Sequence, residues 1–206
     1  MMAMEPRDCD MSPMKLQVES DLQQLILDIQ HSLVSMRDEN HCVLGNLDQI
    51  KQRFFQIEST AASFYLYCYL APFTDKYPDL SLTIQHLSSR RHGALIVIER
   101  NEPLDQWIYK GTPVGATVSS SLLESIFYPG SPLHDGAVLI QGNSIVSAGN
   151  VLPLSDNNLG DPSLGTRHRA ALGLTERSDA LVLVVSEETG RARFAYQGKL
   201  YPLPTV

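Results

Sequence analysis

Two segments of this 206-residue chain concentrate side chains able to do chemistry: Leu133-His134-Asp135-Gly136-Ala137 and Gly165-Thr166-Arg167-His168-Arg169-Ala170-Ala171. The first sets an imidazole and a carboxylate beside a glycine, a residue type that lets backbone approach a ligand closely. The second sets two guanidinium groups and an imidazole at consecutive positions, a donor-rich array suited to phosphate oxygens. Together they point to phosphate chemistry.

Each residue also has a plainer reading. An Asp before Gly is usually a turn former. His134 beside Asp135 makes a donor pair that suits Mg²⁺ only moderately but Mn²⁺ or Co²⁺ well, although a loop histidine is more often a solvated surface group. A basic cluster is usually a charged face. Here, however, cations at a helix start oppose the helix dipole, and a bound polyphosphate would resolve that conflict. Thr166 is placed either to cap the helix or to reach a phosphate. Neither a Walker-type Gly-x-x-x-x-Gly-Lys-Ser/Thr nor a Gly-x-Gly-x-x-Gly occurs, so the arginine segment has to be the phosphate site.

The elements that must position these groups follow from periodicity and punctuation. Residues 1–15, with five methionines and two prolines, read as a frayed tail. Ser20 and Gln23 make a capping box that opens a helix with Leu22, Leu25, Ile26, Ile29, Leu33 and Met36 at helical spacing. After a polar turn at Asp38–His41, a second stripe runs through Leu47, Ile50, Phe54, Ile57, Ala61 and Phe64 to Leu70, before Pro72. An antiparallel hairpin is expected. It has too little interior to stand alone and needs a partner, either the rest of the chain or another subunit.

From about Leu80 the texture changes. A helix ends in Arg90-Arg91-His92-Gly93, with Gly93 as its cap, and leads into a strand at Ala94–Glu99. A short helix is expected over Ser119–Phe127, with Ser121 and Glu124 at capping-box spacing. A hairpin should form from 137–140 and 145–151 around Gln141-Gly142-Asn143-Ser144, followed by a helix from Arg167 to Leu174. Ala180–Val185 reads as a buried strand partnered by Arg193–Tyr196 across a Glu188–Gly190 turn. The fold class is α/β, a mixed central sheet flanked by helices. The polar stretch from Leu152 to Gly165 is long for a connection and is either a binding element or a surface excursion.

Composition limits the function. Sixteen Lys and Arg against 23 Asp and Glu give a net charge of −7, which argues against a general nucleic-acid binder. The longest apolar run, Phe64–Phe73, is about half of the ~20 residues a bilayer span needs, and no signal peptide opens the chain, so a cytoplasmic protein without membrane attachment is expected. Cys9, Cys42 and Cys68 are odd in number and far apart, as for reduced thiols.

The Pro-Leu-His-Asp-Gly-Ala segment, the Thr-Arg-His-Arg-Ala-Ala segment and Ser186-Glu187-Glu188-Thr189-Gly190, in that order and spacing, closely resemble the diadenylate cyclase (DAC, or DisA_N) family across roughly 80–206. The helical lead-in resembles the short soluble spore-type (CdaS-like) members. The resemblance implies a helical regulatory or oligomerisation region over 1–60 and a catalytic domain over 61–206. It further implies an enzyme that condenses two ATP into cyclic di-AMP with loss of two pyrophosphates. Asp135, Arg167 and His168 would be catalytic. Gly136, Ala137, Leu152, Thr166, Arg167, His168, Arg169 and Ser186 would bind ATP, with Leu152 using its backbone on adenine and Arg169 also pairing with carboxylates of its own chain. His134 and Glu188 would hold a divalent cation, Mn²⁺, Mg²⁺ or Co²⁺. One domain would bind one ATP, so a homo-oligomer with facing cyclase domains is implied.

Two alternatives stand beside this. One is a nucleotide sensor that keeps the fold without turnover. The other is a metal phosphohydrolase, suggested by the His134-Asp135 dipeptide but opposed by Pro132 before it and strand-like residues after it.

Overall fold

The computed structural model describes residues 12–36, 42–156 and 164–204. The chain separates into two compact units, Met1–Cys68 and Tyr69–Val206.

The first unit is a helical hairpin. Helix α1 spans Ser12–Ser35 and α2 spans Leu44–Leu70, whose last two residues belong to the second unit. The helix starts eight positions before the Ser20 expected to cap it. Pro13 falls in the first turn, where its missing N–H and fixed φ are tolerated, so the proline opens the helix and the tail reading fails for residues 12–15. An Arg53–Asp28 ion pair at 2.9 Å and a hydrogen bond from Asn46 Nδ2 to Ser35 Oγ at 3.3 Å join the two helices in antiparallel sense. The polar turn at Asp38–His41 lies outside the described residues.

Of the expected α1 stripe only Leu25 is buried; Leu22, Ile26, Ile29, Leu33 and Met36 are exposed, as are Leu47 and Phe54 of α2. The apolar face is therefore wider than one hairpin can cover. Cys42 is a free exposed thiol, whereas Cys68, 1% exposed, is disulfide-bonded, which corrects the expectation of a reduced thiol there; Cys9 lies outside the described residues. Separation along the chain carries no information about approach in space.

In the second unit α3 covers Tyr77–Arg90, with Pro78 in its first turn. It ends on Arg91, not on the expected glycine: Arg91 takes the left-handed conformation at φ 54, and the His92 amide donates to the Leu87 carbonyl. The strands are β1 Ala94–Ile98, β2 Thr112–Thr117, β3 Ala137–Gln141, β4 Ser144–Asn150, β5 Leu181–Val185, β6 Ala192–Tyr196 and β7 Lys199–Pro202; α4 Ser120–Ile126 and α5 Thr166–Thr175 complete the unit. The α4 cap is Ser119, whose hydroxyl accepts from the Leu122 amide, where the sequence suggested Ser121. Capping by Ser119 leaves Glu124 free to pair elsewhere.

One sheet runs β2-β4-β3-β1-β5-β6-β7. Only β1 and β3 are parallel; every other neighbour is antiparallel, so the mixed sheet expected from the sequence is present. All residues of β1 and β5 are buried, the signature of central strands covered on both faces. Leu95, Val97, Leu139, Val182 and Val184 pack with Ala170, Ala171 and Leu174 of α5. By the two-residue strand period the alternate positions, Ile96 and Ile98 among them, face the other layer. Proline 113 sits in β2, at the sheet edge, where a missing N–H does no harm.

Candidate active site

Strand directions bring the chemistry-bearing segments to one edge of the sheet. The parallel strands β1 and β3 begin there, while β4 and β5, antiparallel to them, end there: Ala94 pairs with Val185, and Ala137 with Asn150. Asp135 and Gly136 precede β3, Val151 and Leu152 follow β4, and Ser186, Glu187 and Glu188 follow β5. Helix α5 starts at the same edge.

These segments enclose a cavity of about 600 Å³, in the size range of small-molecule sites. Asp135, Gly136, Leu152, Thr166, Arg167, His168, Ser186 and Glu188 all line it. Three residues expected at the site do not: Ala137, Arg169 and His134 are absent from the wall. Ala137 is fully buried as the first residue of β3. Arg169, expected to pair with carboxylates, donates to the Ser155 carbonyl at 3.3 Å. The carboxylate pairing falls to Arg167 instead, whose Nη1 lies 2.6 Å from Glu187 Oε2.

The α5 start is built for an anion. Its N-cap is Gly165, with no side-chain cap, so Thr166 does not cap the helix; it lines the cavity. The amides of His168 and Arg169 return to the Gly165 carbonyl, whereas the first N–H groups of a helix lack an intrahelical partner. His168 is 5% exposed, a wall residue more than a surface cation.

Gly136 has a second reason to be glycine. At φ 110, a Cβ would come within 2.8 Å of the Asn150 carbonyl oxygen, so the close approach is to the protein's own backbone as well as to the cavity. Asn150 itself was not singled out from sequence. It is 1% exposed, and its side chain accepts from the Gly111 amide (2.9 Å) and the Ser147 hydroxyl (2.8 Å) and donates to the Ala137 carbonyl (2.7 Å), tying three strand ends at the cavity wall. Glu187 and Gly93 were likewise missed. The remaining part of the 152–165 stretch, from Asn157 to Ser163, lies outside the described residues.

For a divalent cation the donor set fits in part. Asp135 and Glu188 share the cavity, and the His134 Nδ1–H donates to the Ser131 carbonyl at 2.5 Å, which leaves Nε2 as the ligating nitrogen. Among the described residues no three His, Cys, Asp or Glu side chains approach closely enough to hold an ion by themselves. The remaining ligands would have to be nucleotide phosphates and water, the usual arrangement for Mg²⁺ with triphosphates.

Known proteins resemble this chain along most of its length. The family model described as DisA bacterial checkpoint controller nucleotide-binding (DAC) matches residues 81–200, and the model for the N-terminal region of diadenylate cyclase CdaS matches 6–73. The chain is 52% identical over 177 residues to the diadenylate cyclase CdaS of Bacillus thuringiensis, covering 86% of this chain and 87% of that one. It is 47% identical over 203 residues to the cyclic di-AMP synthase CdaS of Bacillus subtilis, covering 98% of each. A crystal structure of a hypothetical membrane spanning protein from Bacillus cereus superposes with a TM-score of 0.81 at 47% identity, over 93% of this chain and 94% of that one. DacA from Staphylococcus aureus gives 0.59 at 44% identity, over 62% and 85%. No helix among the described residues is long and apolar enough to cross a membrane. By its sequence over nearly its whole length, and by the cavity its three motifs share, the chain belongs to the diadenylate cyclase family, in the CdaS branch.

Proposed function

We propose that the protein is a diadenylate cyclase that condenses two ATP into cyclic di-AMP and two pyrophosphates. The observation that carries the reading is one cavity holding the Asp135 carboxylate together with the amide-rich, arginine-bearing start of α5. In each half-reaction a ribose 3′-oxygen bonds to the α-phosphorus of the other nucleotide, and the bond from that phosphorus to pyrophosphate breaks. Asp135 accepts the 3′-hydroxyl proton. Arg167 and the α5 amides balance the triphosphate, with Thr166, His168 and Ser186 completing the phosphate contacts, and Gly136 lies against the ribose. The Leu152 backbone reads the adenine edge. Such catalysis is mostly positioning and charge stabilisation. His134 and Glu188, with the nucleotide phosphates, would hold a divalent cation, Mn²⁺, Mg²⁺ or Co²⁺, which would supply further neutralisation of the triphosphate charge.

One chain has one Asp135 and one Arg167 and so serves one ATP. Two cyclase units from different chains must therefore face each other, and the exposed apolar stripe of the hairpin offers a surface by which chains assemble. The protein works in the cytoplasm, where its substrate is made. Incubating it with ATP and Mn²⁺ and separating the products by chromatography tests the proposal: cyclic di-AMP and pyrophosphate support it. ATP bound but unchanged would indicate a sensor, and linear hydrolysis products a phosphohydrolase.

A further inference from the structure

The geometry points to Gly93 and Glu187 as positioning residues for Arg167, forming a cradle that aims its guanidinium at the nucleotide. The inference rests on the proposal that Arg167 binds the triphosphate. Gly93 follows α3 and immediately precedes β1, two elements distant in sequence from the arginine segment. A Cβ built there would stand 2.4 Å from Arg167 Nη1, 2.6 Å from Cζ and 2.9 Å from Glu187 Oε2. The guanidinium thus occupies the space that a side chain at 93 would fill.

Glu187 closes the cradle from the β5 side. Its Oε2 takes the Nη1 donor at 2.6 Å, and Arg167 is held with 22% of its side chain exposed against 61% for Glu187. An arginine has five N–H donors in a rigid plane, so fixing one nitrogen between Gly93 and Glu187 sets the direction of the rest. Arg167 lines the cavity, and those remaining donors are available to it. A long side chain at a helix start would otherwise sample several rotamers, a cost that ATP would have to meet on binding. The exposed pair adds little to fold stability, because solvent screens it, so its value lies in orientation.

Glycine at 93 is therefore a requirement of the site, not of the backbone. Arg91 already supplies the left-handed turn, and 93 is not among the positions with positive φ. Alanine at 93 is accommodated by displacing the end of a flexible arginine and leaves the strand intact.

The test uses the full chain with Gly93→Ala, Glu187→Ala, Glu187→Gln and Arg167→Ala, alone and in pairs, reading kcat and KM for cyclic dinucleotide formation, ATP affinity by calorimetry, and Tm. Gly93→Ala and Glu187→Ala should each weaken ATP binding and lower kcat/KM, together by up to roughly 10²-fold, the scale of misplacing a group by about 1 Å. Glu187→Gln, which keeps an acceptor, should recover most of that loss. Neither Gly93→Ala nor Glu187→Ala should cost anything further once Arg167→Ala is present, and Tm should hold throughout. The cradle is refuted by unchanged ATP affinity and kcat/KM in Gly93→Ala, by losses that add to those of Arg167→Ala, or by tighter ATP binding in Glu187→Ala. A wild-type protein that forms no cyclic dinucleotide would defeat the proposed function, while the calorimetric cycle would still decide the cradle.

Discussion

Replacing Asn150 by alanine should unfold the cyclase unit at much lower denaturant, and the size of the effect follows from its contacts. The side chain is 1% exposed and satisfies three partners: the Gly111 amide, the Ser147 hydroxyl and the Ala137 carbonyl. Alanine leaves all three without it in a place that water reaches poorly. An orphaned buried group costs about 1–3 kcal/mol, so three set a floor of about 3 kcal/mol, a large part of the ~5–15 kcal/mol that holds a domain together. Urea unfolding followed by Trp107 fluorescence reads this unit directly, because Trp107 is the chain's single tryptophan and packs against the cyclase core. With a slope of about 2 kcal/mol per M, the midpoint should fall by about 1.5 M. Ser147→Ala removes one donor and leaves Asn150 its other two partners, so it should cost about 1 kcal/mol or less. A midpoint shift in Asn150→Ala of less than about 0.5 M at unchanged slope would refute the reasoning.

Glu124 should make the α3–α4 packing acid-sensitive. Its carboxyl is held below the ordinary glutamate range by hydrogen bonds, first from His86 at 2.7 Å, then from Ser120 and Arg90, against an opposing effect of burial. A depressed carboxyl contributes stability that is present above its unfolded value and lost as pH falls through the folded one. The stability gap between wild type and Glu124→Gln should accordingly be full at neutral pH and shrink below the ordinary glutamate range; a gap independent of pH would contradict this. Mixing Asp135→Asn subunits with wild type should lower specific activity more than dilution does, since each site needs two chains, and strict proportionality would show that one chain suffices. Deleting residues up to Ile57 should shrink the oligomer and raise the rate if the hairpin holds cyclase faces apart, as we expect; a folded, ATP-binding truncation of unchanged size and rate would defeat that expectation.

Local chemistry was legible where one segment decides it. The Gly142-Asn143 turn between β3 and β4, the buried run of β5 and the start of α5 all follow from neighbouring residues, and the structure places them as the sequence implied. What the sequence hid depends on distant partners. Strand β2 carries a proline and a glycine and earns its place only by pairing with β4, some thirty residues on. Gly93 reads as a helix cap until Arg167 is seen against it, and Asn150 reads as an ordinary strand end until its three partners converge. Likewise Arg169 and Arg167 are indistinguishable in a run of basic residues, and only the helix start decides which one turns to Glu187 and which to the Ser155 carbonyl. The α1 boundary differs for a simpler reason: the residues around Pro13 show no periodic pattern in sequence, yet the proline sits in the one turn that accepts it.

The central claim, that Asp135 works in the same cavity as the α5 phosphate site to join two ATP, is tested most directly by comparing cyclic di-AMP formation in wild type and Asp135→Asn at matched Tm and ATP affinity. The account predicts that the variant binds ATP and stays folded while turnover falls by roughly 10²–10⁴-fold, the range for losing a positioned base. Near-normal formation of cyclic di-AMP by the variant would contradict it.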